Sequence, residues 1–152
     1  MDLQDLILIP TPKTPKIELS QISGDLLFEG RSIPENAAKV YEPVFNWVAK
    51  YINNPRPTTN FRFNMEYYNT ASSLWIAKIL KVLIHIPDAD CTIIIHLYLP
   101  LEDYEDIEEF RDIKDAFFPL ADIFHGAIPS IGIKLYGTDD DGHVVRDTLV
   151  YM

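Results

Sequence analysis

Three hydroxyl side chains lie close together near the middle of this 152-residue chain, at Thr70, Ser72 and Ser73. Together with Asn69 they connect two segments. The segment before them alternates between polar and apolar residues, which favours a strand, and the segment after them is largely apolar, which favours a helix. Side chains of these types cap the free N–H groups at a helix start. A hydroxyl at such a place could also accept a phosphate, which the positive end of the helix dipole would stabilise together with unpaired N–H donors. The residues alone leave both interpretations open.

Residues suited to metal binding or covalent catalysis are not grouped in this sequence. Cys91 is the single cysteine, and the four histidines are scattered along the chain. The run TDDDG at 138–142 lacks the spaced ligands and distal Glu of a calcium loop, and is typical of a hairpin turn. The sequence also has no Gly-rich phosphate loop and no Gly-x-Ser-x-Gly elbow. We therefore predict a protein that binds other proteins, without metal, cofactor or catalytic residues.

Acidic side chains dominate the charge of the chain, with 23 Asp and Glu against 13 Lys and Arg and a net charge of −10. Binding to phosphates draws on Lys and Arg, so nucleic acid and anionic membrane surfaces are disfavoured as partners. The apolar run at 6–9 follows acids rather than the basic start of a signal peptide, and no segment approaches the roughly 20 apolar residues of a membrane span. We expect a cytoplasmic protein, in keeping with the single cysteine.

The N-terminal part predicts a β-hairpin followed by a helix. Strands at 15–22 and 25–31 flank a Ser-Gly turn signal. Apolar residues then recur at helical spacing over 34–52. Ser32 with Glu35 three residues later matches a capping box, so we expect Ser32 to cap this helix.

The remaining segments predict alternating strands and helices. Residues 59–67 alternate in polarity, which places Tyr67 on the buried face with Phe61, Phe63 and Met65. After this strand we predict a buried helix at 71–86, a strand at 91–99, an acidic helix at 102–115 and a hairpin at about 131–151. The fold class is α/β, with a single mixed β-sheet packed by two main helices and the acidic third helix. We predict one domain spanning residues 1–152.

Two stretches of the sequence resemble the SiaC-type regulatory phosphoproteins. GRSIPENAAKVYEPVFNWVAKY contains a strand-ending Gly, a Ser-x-Pro-Glu-Asn helix start and a Tyr-x-Pro segment. MEYYNTASSLWIAKIL contains an aromatic pair followed by Asn-Thr and a Ser-Ser helix start. The resemblance covers about residues 11–115, and the hairpin at about 131–151 lies outside it.

The resemblance implies a fold loosely like that of the anti-sigma-factor antagonists and a role in a bacterial partner-switching pathway. In such a pathway a serine/threonine kinase and a phosphatase set the phosphorylation state of the regulator. The unphosphorylated form binds and activates a diguanylate cyclase, which links the switch to cyclic di-GMP and biofilm formation. Carried over by position, Thr70 is the phosphoacceptor, with Ser72 and Ser73 as alternates. Together with Asn69, these residues form the partner-binding surface.

The same stretch also permits other functions. Ala71 stands where the family usually has another hydroxyl, and Leu74 stands where a Lys is common. A constitutive adaptor that keeps the fold but has lost the phosphorylation switch is therefore the second hypothesis. A small-ligand-binding protein or enzyme is the third, and a deep pocket with convergent polar groups would favour it.

Overall fold

Seven strands form one sheet in this computed structural model, which describes residues 3–107 and 123–151. In chain order the elements are β1 (Leu6–Leu8), β2 (Lys16–Leu19), β3 (Asp25–Ser32), α1 (Ala37–Tyr51), β4 (Thr58–Tyr68), α2 (Thr70–Leu83), β5 (Thr92–Pro100), α3 (Leu101–Asp106), β6 (Ser130–Thr138) and β7 (Val144–Tyr151). Neighbours in the sheet are also consecutive in the chain. The pairs from β3 to β6 are parallel and the pairs at both edges are antiparallel. The predicted mixed sheet of an α/β fold is confirmed.

The core lies between the sheet and the two main helices. Parallel neighbours need crossover connections, and α1 and α2 supply them between β3, β4 and β5. The helices pack against each other, with the rings of Phe45 and Trp75 edge to face at 6.4 Å. Beneath them, Phe28 and Phe61 of adjacent strands are fully buried with ring centroids 4.9 Å apart.

The predicted N-terminal hairpin is confirmed, because β2 and β3 pair antiparallel with Ile17 opposite Phe28. The turn before β3 depends on Gly24, whose φ is +75°. A Cβ at this position would lie 2.6 Å from the carbonyl oxygen of Thr58, so the turn also requires a residue without a side chain. Strand β1 was not predicted from the sequence, because three residues are too few to show an alternating pattern.

Every second side chain of β4 is buried from Thr59 through Phe61 to Phe63, and this pattern does not continue beyond Phe63. The pairing of β3 with β4 shifts between Gly30 and Arg31. Such a bulge turns the following side chains to the other face of the sheet. The prediction that Tyr67 is buried is therefore wrong: this ring is 53% exposed. Tyr68 instead packs edge to face on Phe63 at 5.2 Å.

The predicted cap of the first helix is also wrong. Helix α1 begins after Asn36, whose side-chain oxygen accepts a hydrogen bond from the N–H of Lys39. Ser32 is the last residue of β3 and is fully buried. Because Pro34 keeps the residue before it extended, the chain cannot enter the helix directly after Ser32.

Helix α2 begins one residue earlier than predicted and ends three residues earlier, at Leu83. The acidic third helix is present as α3 from Leu101 to Asp106, but it is shorter than predicted, because the backbone of Ile107 is extended. The rest of the predicted 102–115 helix lies largely outside the described residues. None of the helices in the described parts of the chain is both long and apolar enough to span a membrane.

The predicted C-terminal hairpin is confirmed, with β6 and β7 paired antiparallel. It belongs to the same sheet as the rest of the chain, because β6 also pairs in parallel with β5 over nine residues from Thr92 to Pro100. The extent of the domain as 1–152 stays a prediction.

Candidate functional site

The hydroxyl-bearing turn lies where β4 ends and α2 begins. Asn69 is the N-cap residue of α2, with an extended backbone, and its side-chain oxygen accepts a hydrogen bond from the N–H of Ser72 at 2.9 Å. Its backbone oxygen accepts from the N–H of Ser73, and its own N–H donates to the backbone oxygen of Ser32 at 2.9 Å. Asn69 thereby fixes the direction in which α2 leaves the sheet.

Thr70 is the first residue of α2, and its side chain is exposed. Solvent therefore reaches this residue without any opening of the fold. The local N–H donors are less available than the sequence suggested, because Asn69 already accepts from those of Ser72 and Ser73. A phosphate on Thr70 would still lie at the positive end of the α2 dipole.

Ser72 lies on the opposite side of the same helical turn and is fully buried. Its Oγ donates to the backbone oxygen of Ser32 at 3.2 Å and lies 2.7 Å from the Oγ of Ser32. The Oγ of Ser32 in turn lies 2.6 Å from the phenol oxygen of Tyr41 in α1. We call these three residues the buried hydroxyl chain. It ties the end of β3 to both helices.

One arrangement of the hydrogens satisfies all three contacts of the buried hydroxyl chain, since each hydroxyl carries only one hydrogen. In this arrangement Ser72 donates to the carbonyl of Ser32, and its oxygen accepts from the Ser32 hydroxyl. The Ser32 oxygen then accepts from Tyr41. Burial raises the pKa of the Tyr41 phenol above its usual value, which keeps this donor protonated. Each of the three hydroxyl hydrogens then has an acceptor within the core.

Ser73 is partly exposed, and its Oγ donates to the backbone oxygen of Thr70 at 2.8 Å. The four residues named from the sequence thus share one turn, but their hydroxyls face different surroundings. The hydroxyl of Thr70 faces solvent, that of Ser72 faces the core, and that of Ser73 turns back onto the helix.

Charged and aromatic groups flank the turn on the β3 and β4 side. The Arg31 guanidinium lies 5.9 Å from the centre of the Tyr67 ring and 3.8 Å from a carboxylate oxygen of Glu66. These side chains are largely exposed, so the ion pair is weak. They add a polar, partly aromatic border to the surface around Thr70.

A possible cation site lies elsewhere, in the β6–β7 turn. Asp139, Asp141 and His143 offer ligand atoms within 4.8 Å of one another, and all three are exposed. The Asp139 carboxylate already accepts from the N–H groups of Asp141 and His143. Turn formation therefore accounts for this arrangement, as the sequence predicted for TDDDG.

An open groove of about 530 Å³ lies between the N-terminal segment and α1. Its wall is mostly apolar, and Leu8, Pro15, Val40 and Pro43 contribute to it. Among its polar groups, Lys13 and Glu35 pair with each other at 3.3 Å and Asn36 caps α1. The groove does not present the convergent polar groups that would favour a small-ligand site.

Within residues 3–107 and 123–151, His96 in β5 has a strongly shifted pKa, and the sequence did not single it out. Burial lowers the pKa of His96 to about 4, and the nearby cations Arg62 and Lys134 add to this effect. Its ring nitrogens are hydrogen-bonded to the Tyr136 hydroxyl at 2.7 Å and to Asn60 at 2.8 Å. These partners satisfy a neutral imidazole, so His96 has a structural role.

Sequence reasoning missed Tyr41 and Ser32 as partners of the site. Tyr41 fitted the apolar stripe of α1, and Ser32 fitted a capping box. Ser32 and Ser72 are 40 residues apart in sequence, so no local pattern connects them. Only the parallel pairing of β3 with β4 brings them together.

Comparisons with known proteins place this arrangement in context. The model of a family described as SiaC family regulatory phosphoprotein matches residues 8–123. Among curated proteins, an uncharacterised protein of Pseudomonas aeruginosa strain UCBPP-PA14 is 28% identical over 81 residues, which are 53% of this chain and 64% of that protein. The match thus spans less than two thirds of this relative.

Solved structures of SiaC from Pseudomonas aeruginosa have a similar fold. The apo-SiaC structure has a TM-score of 0.60 and 21% identity, covering 84% of this chain and 98% of that chain. A chain from the crystal structure of the diguanylate cyclase SiaD in complex with its activator SiaC has a TM-score of 0.66 and 20% identity, covering 87% of this chain and 100% of that chain. At these identities the likeness shows a shared fold.

Proposed function

This chain belongs to the SiaC family of regulatory phosphoproteins, and on that premise we propose that phosphorylation of Thr70 controls its binding to a protein partner. The chain would then act as a regulator in a bacterial partner-switching pathway. The observation that carries the proposal is the exposure of Thr70 at the first position of α2. An exposed hydroxyl on a well-fixed turn is a substrate that a kinase can bind in the folded protein.

The neighbouring hydroxyls support Thr70 over its alternates. Ser72 has its hydrogen and its oxygen engaged in the buried hydroxyl chain, so its modification would require α2 to detach from β3. Ser73 donates to the carbonyl of Thr70 and is partly covered. Of the three, only Thr70 can gain a phosphate without the loss of one of these contacts.

A phosphate on Thr70 would change binding more than folding. It would add up to about two negative charges to an exposed surface, where the helix dipole stabilises them. The side chain makes none of the contacts of the buried hydroxyl chain, so the core would stay intact. The new charges would instead alter the surface that Thr70 shares with Asn69 and Ser73.

We propose a diguanylate cyclase as the partner of the unphosphorylated form. The support is that SiaC, which has the same fold, is named as the activator of the cyclase SiaD in their complex. A serine/threonine kinase and a phosphatase would set the state of Thr70. A cytoplasmic location and an action by binding rather than catalysis belong to the same proposal.

The test compares Thr70→Glu, Thr70→Ala and the matched control Ser73→Ala. All three should remain folded, because the affected side chains lie outside the core. Thr70→Glu should lose the cyclase, whereas Thr70→Ala and Ser73→Ala should retain it. Treatment with the kinase should abolish cyclase binding by the Ser73→Ala protein and leave Thr70→Ala unaffected.

Two results would contradict the proposal. If Thr70→Glu and the kinase-treated wild-type protein both bind the cyclase like the untreated protein, the chain is a constitutive adaptor. If Ser73→Ala rather than Thr70→Ala becomes unresponsive to the kinase, the switch lies at Ser73.

A further inference from the structure

The outer face of α2 differs in charge from the rest of this acidic chain. Helix α2 contains Lys78 and Lys81 and no Asp or Glu, whereas the whole chain has a net charge of −10. Both lysines are exposed. The nearest carboxylates along the chain, Glu66 and Asp88, lie beyond the two ends of the helix.

These lysines share one side of the helix with the proposed phosphoacceptor. Thr70, Leu74, Lys78 and Lys81 are spaced by four, four and three residues, which places them in one line along an α-helix. All four are exposed, while Ile76, Ile79, Leu80 and Leu83 occupy the buried side. We call this line of four residues the α2 stripe.

An apolar side chain lies at the centre of the α2 stripe. Leu74 is 61% exposed and offers an apolar contact between Thr70 and the two lysines. Beside it, the Lys78 ammonium lies 4.7 Å from the centre of the Trp75 ring. Trp75 itself packs against Phe45 of α1, so the cation–π contact favours this position of the Lys78 ammonium. A partner would meet a positive charge next to an exposed apolar group.

We infer that the α2 stripe is a docking surface for an acidic protein surface with an apolar residue at its centre. The inference rests on the proposed function, since it identifies the chemistry of the surface that the Thr70 switch controls. Charge complementarity indicates an acidic partner, because two lysines without a carboxylate between them attract Asp and Glu. Leu74 offers an apolar contact, which a protein surface can match and a nucleic acid phosphate backbone cannot.

This chemistry also explains why phosphorylation would release the partner. Leu74 lies about 6 Å along the helix axis from Thr70, and Lys78 about 12 Å. A partner carboxylate that faces the Leu74 position would lie within the screening length of about 8 Å from a phosphate on Thr70, and one paired with Lys78 would lie beyond it. The phosphate would therefore repel mainly those carboxylates that lie near the N-terminal end of the α2 stripe.

The test measures the affinity of unphosphorylated protein for the diguanylate cyclase of the same organism, at low and at high salt. The variants are Leu74→Ser and the double charge reversal Lys78→Glu with Lys81→Glu. Matched controls are Ile22→Ser, at an 80% exposed position before β3, and Lys50→Glu, at the exposed end of α1. Circular dichroism and thermal melting establish that each variant is folded. Lys78→Gln with Lys81→Gln provides a milder change should the reversal disturb Trp75.

Wild-type binding should weaken as salt rises. The charge reversal should weaken binding by about tenfold or more and remove most of the salt dependence. Leu74→Ser should weaken it by a similar factor while leaving the salt dependence in place, and both controls should stay within about twofold of wild type.

Three outcomes overturn the inference. If the stripe variants bind like wild type while Thr70→Glu still loses the cyclase, the inference fails and the proposed function stands. If DNA, RNA or anionic vesicles displace the cyclase from the wild-type protein, the stripe is a site for polyanions. If the wild-type protein binds no cyclase, the inference fails together with the proposed function.

Discussion

The Oγ atoms of Ser32 and Ser72 lie 2.7 Å apart in the core, although the residues are 40 positions apart in sequence. This contact joins the end of β3 to the first turn of α2, directly behind the exposed Thr70. The turn that carries the proposed phosphoacceptor is thus anchored from the inside. A phosphate can alter the outer surface of this turn while its inner contacts remain.

Replacing Ser32 with Ala should destabilise the protein by about 1–3 kcal/mol. The change removes a hydroxyl that is hydrogen-bonded to both Tyr41 and Ser72 inside the core. Chemical denaturation measures the loss. A double-mutant cycle of Ser32→Ala with Ser72→Ala should give a coupling energy of at least about 0.5 kcal/mol. Ser73→Ala is the control, and an equal effect of this surface change would refute the role of the buried hydroxyl chain.

Asn36→Ala should destabilise the protein by about 1 kcal/mol, because it removes the side-chain acceptor at the start of α1. Glu35→Ala should change stability by less than about 0.5 kcal/mol, since Glu35 forms only an exposed ion pair with Lys13. Denaturation midpoints distinguish the two. A larger loss of stability in Glu35→Ala than in Asn36→Ala would instead support the capping box predicted from the sequence.

Gly24→Ala should be more destabilising than Gly142→Ala. Both glycines have a positive φ, which costs about 1–2 kcal/mol for a residue with a Cβ. At Gly24 the new Cβ would also lie 2.6 Å from the carbonyl oxygen of Thr58, whereas at Gly142 it meets nothing within 4 Å. Thermal unfolding of the two variants checks this order, and equal melting temperatures would show that the close approach at Gly24 is easily relieved.

Stability should fall as the pH drops from about 6.5 to about 4, in part because of His96. The folded protein keeps His96 neutral until about pH 4, whereas the unfolded chain takes up a proton at about pH 6.5. In this window the unfolded state binds more protons, so the contribution is complete above pH 6.5 and is lost on acidification. The charged groups around His96 are Arg62 and Lys134, with Asp25 paired to Arg62 at 3.6 Å.

The comparison for His96 uses His96→Gln, which keeps hydrogen-bonding groups but cannot titrate. Its stability should depend on pH less steeply than that of the wild type, by roughly 1 kcal/mol per pH unit within the window. Carboxylates titrate in both proteins and cancel in the difference. An NMR titration in which the His96 ring is already protonated at pH 6 would contradict the prediction.

The sequence predicted those features that depend on local patterns. The burial of Phe61 and Phe63 followed from alternation, and the position of Thr70 between a strand and a helix followed from the change in periodicity. Tyr67 was predicted on the wrong face, because the shift between Gly30 and Arg31 is a property of the pairing of two strands. The separate environments of Thr70 and Ser72 likewise depend on which side of α2 meets β3.

The same reasoning explains the error at Ser32. A Ser followed by Glu three residues later satisfies the local rule for a capping box. The continuation of β3 to Ser32 and the buried position of its side chain come from pairing with β4 and from contacts with Tyr41 and Ser72. These partners are distant in sequence and override the local preference.

The most direct test of the phosphorylation switch is mass spectrometry of the protein isolated from its native cell, focused on the tryptic peptide at 63–78. This peptide contains Thr70, Ser72 and Ser73, and fragmentation assigns the phosphate to one of them. The account predicts phosphate on Thr70, and cyclase binding by the unmodified fraction alone. Phosphate on Ser72 or Ser73, or equal cyclase binding by the Thr70-phosphorylated and unmodified fractions, would contradict it.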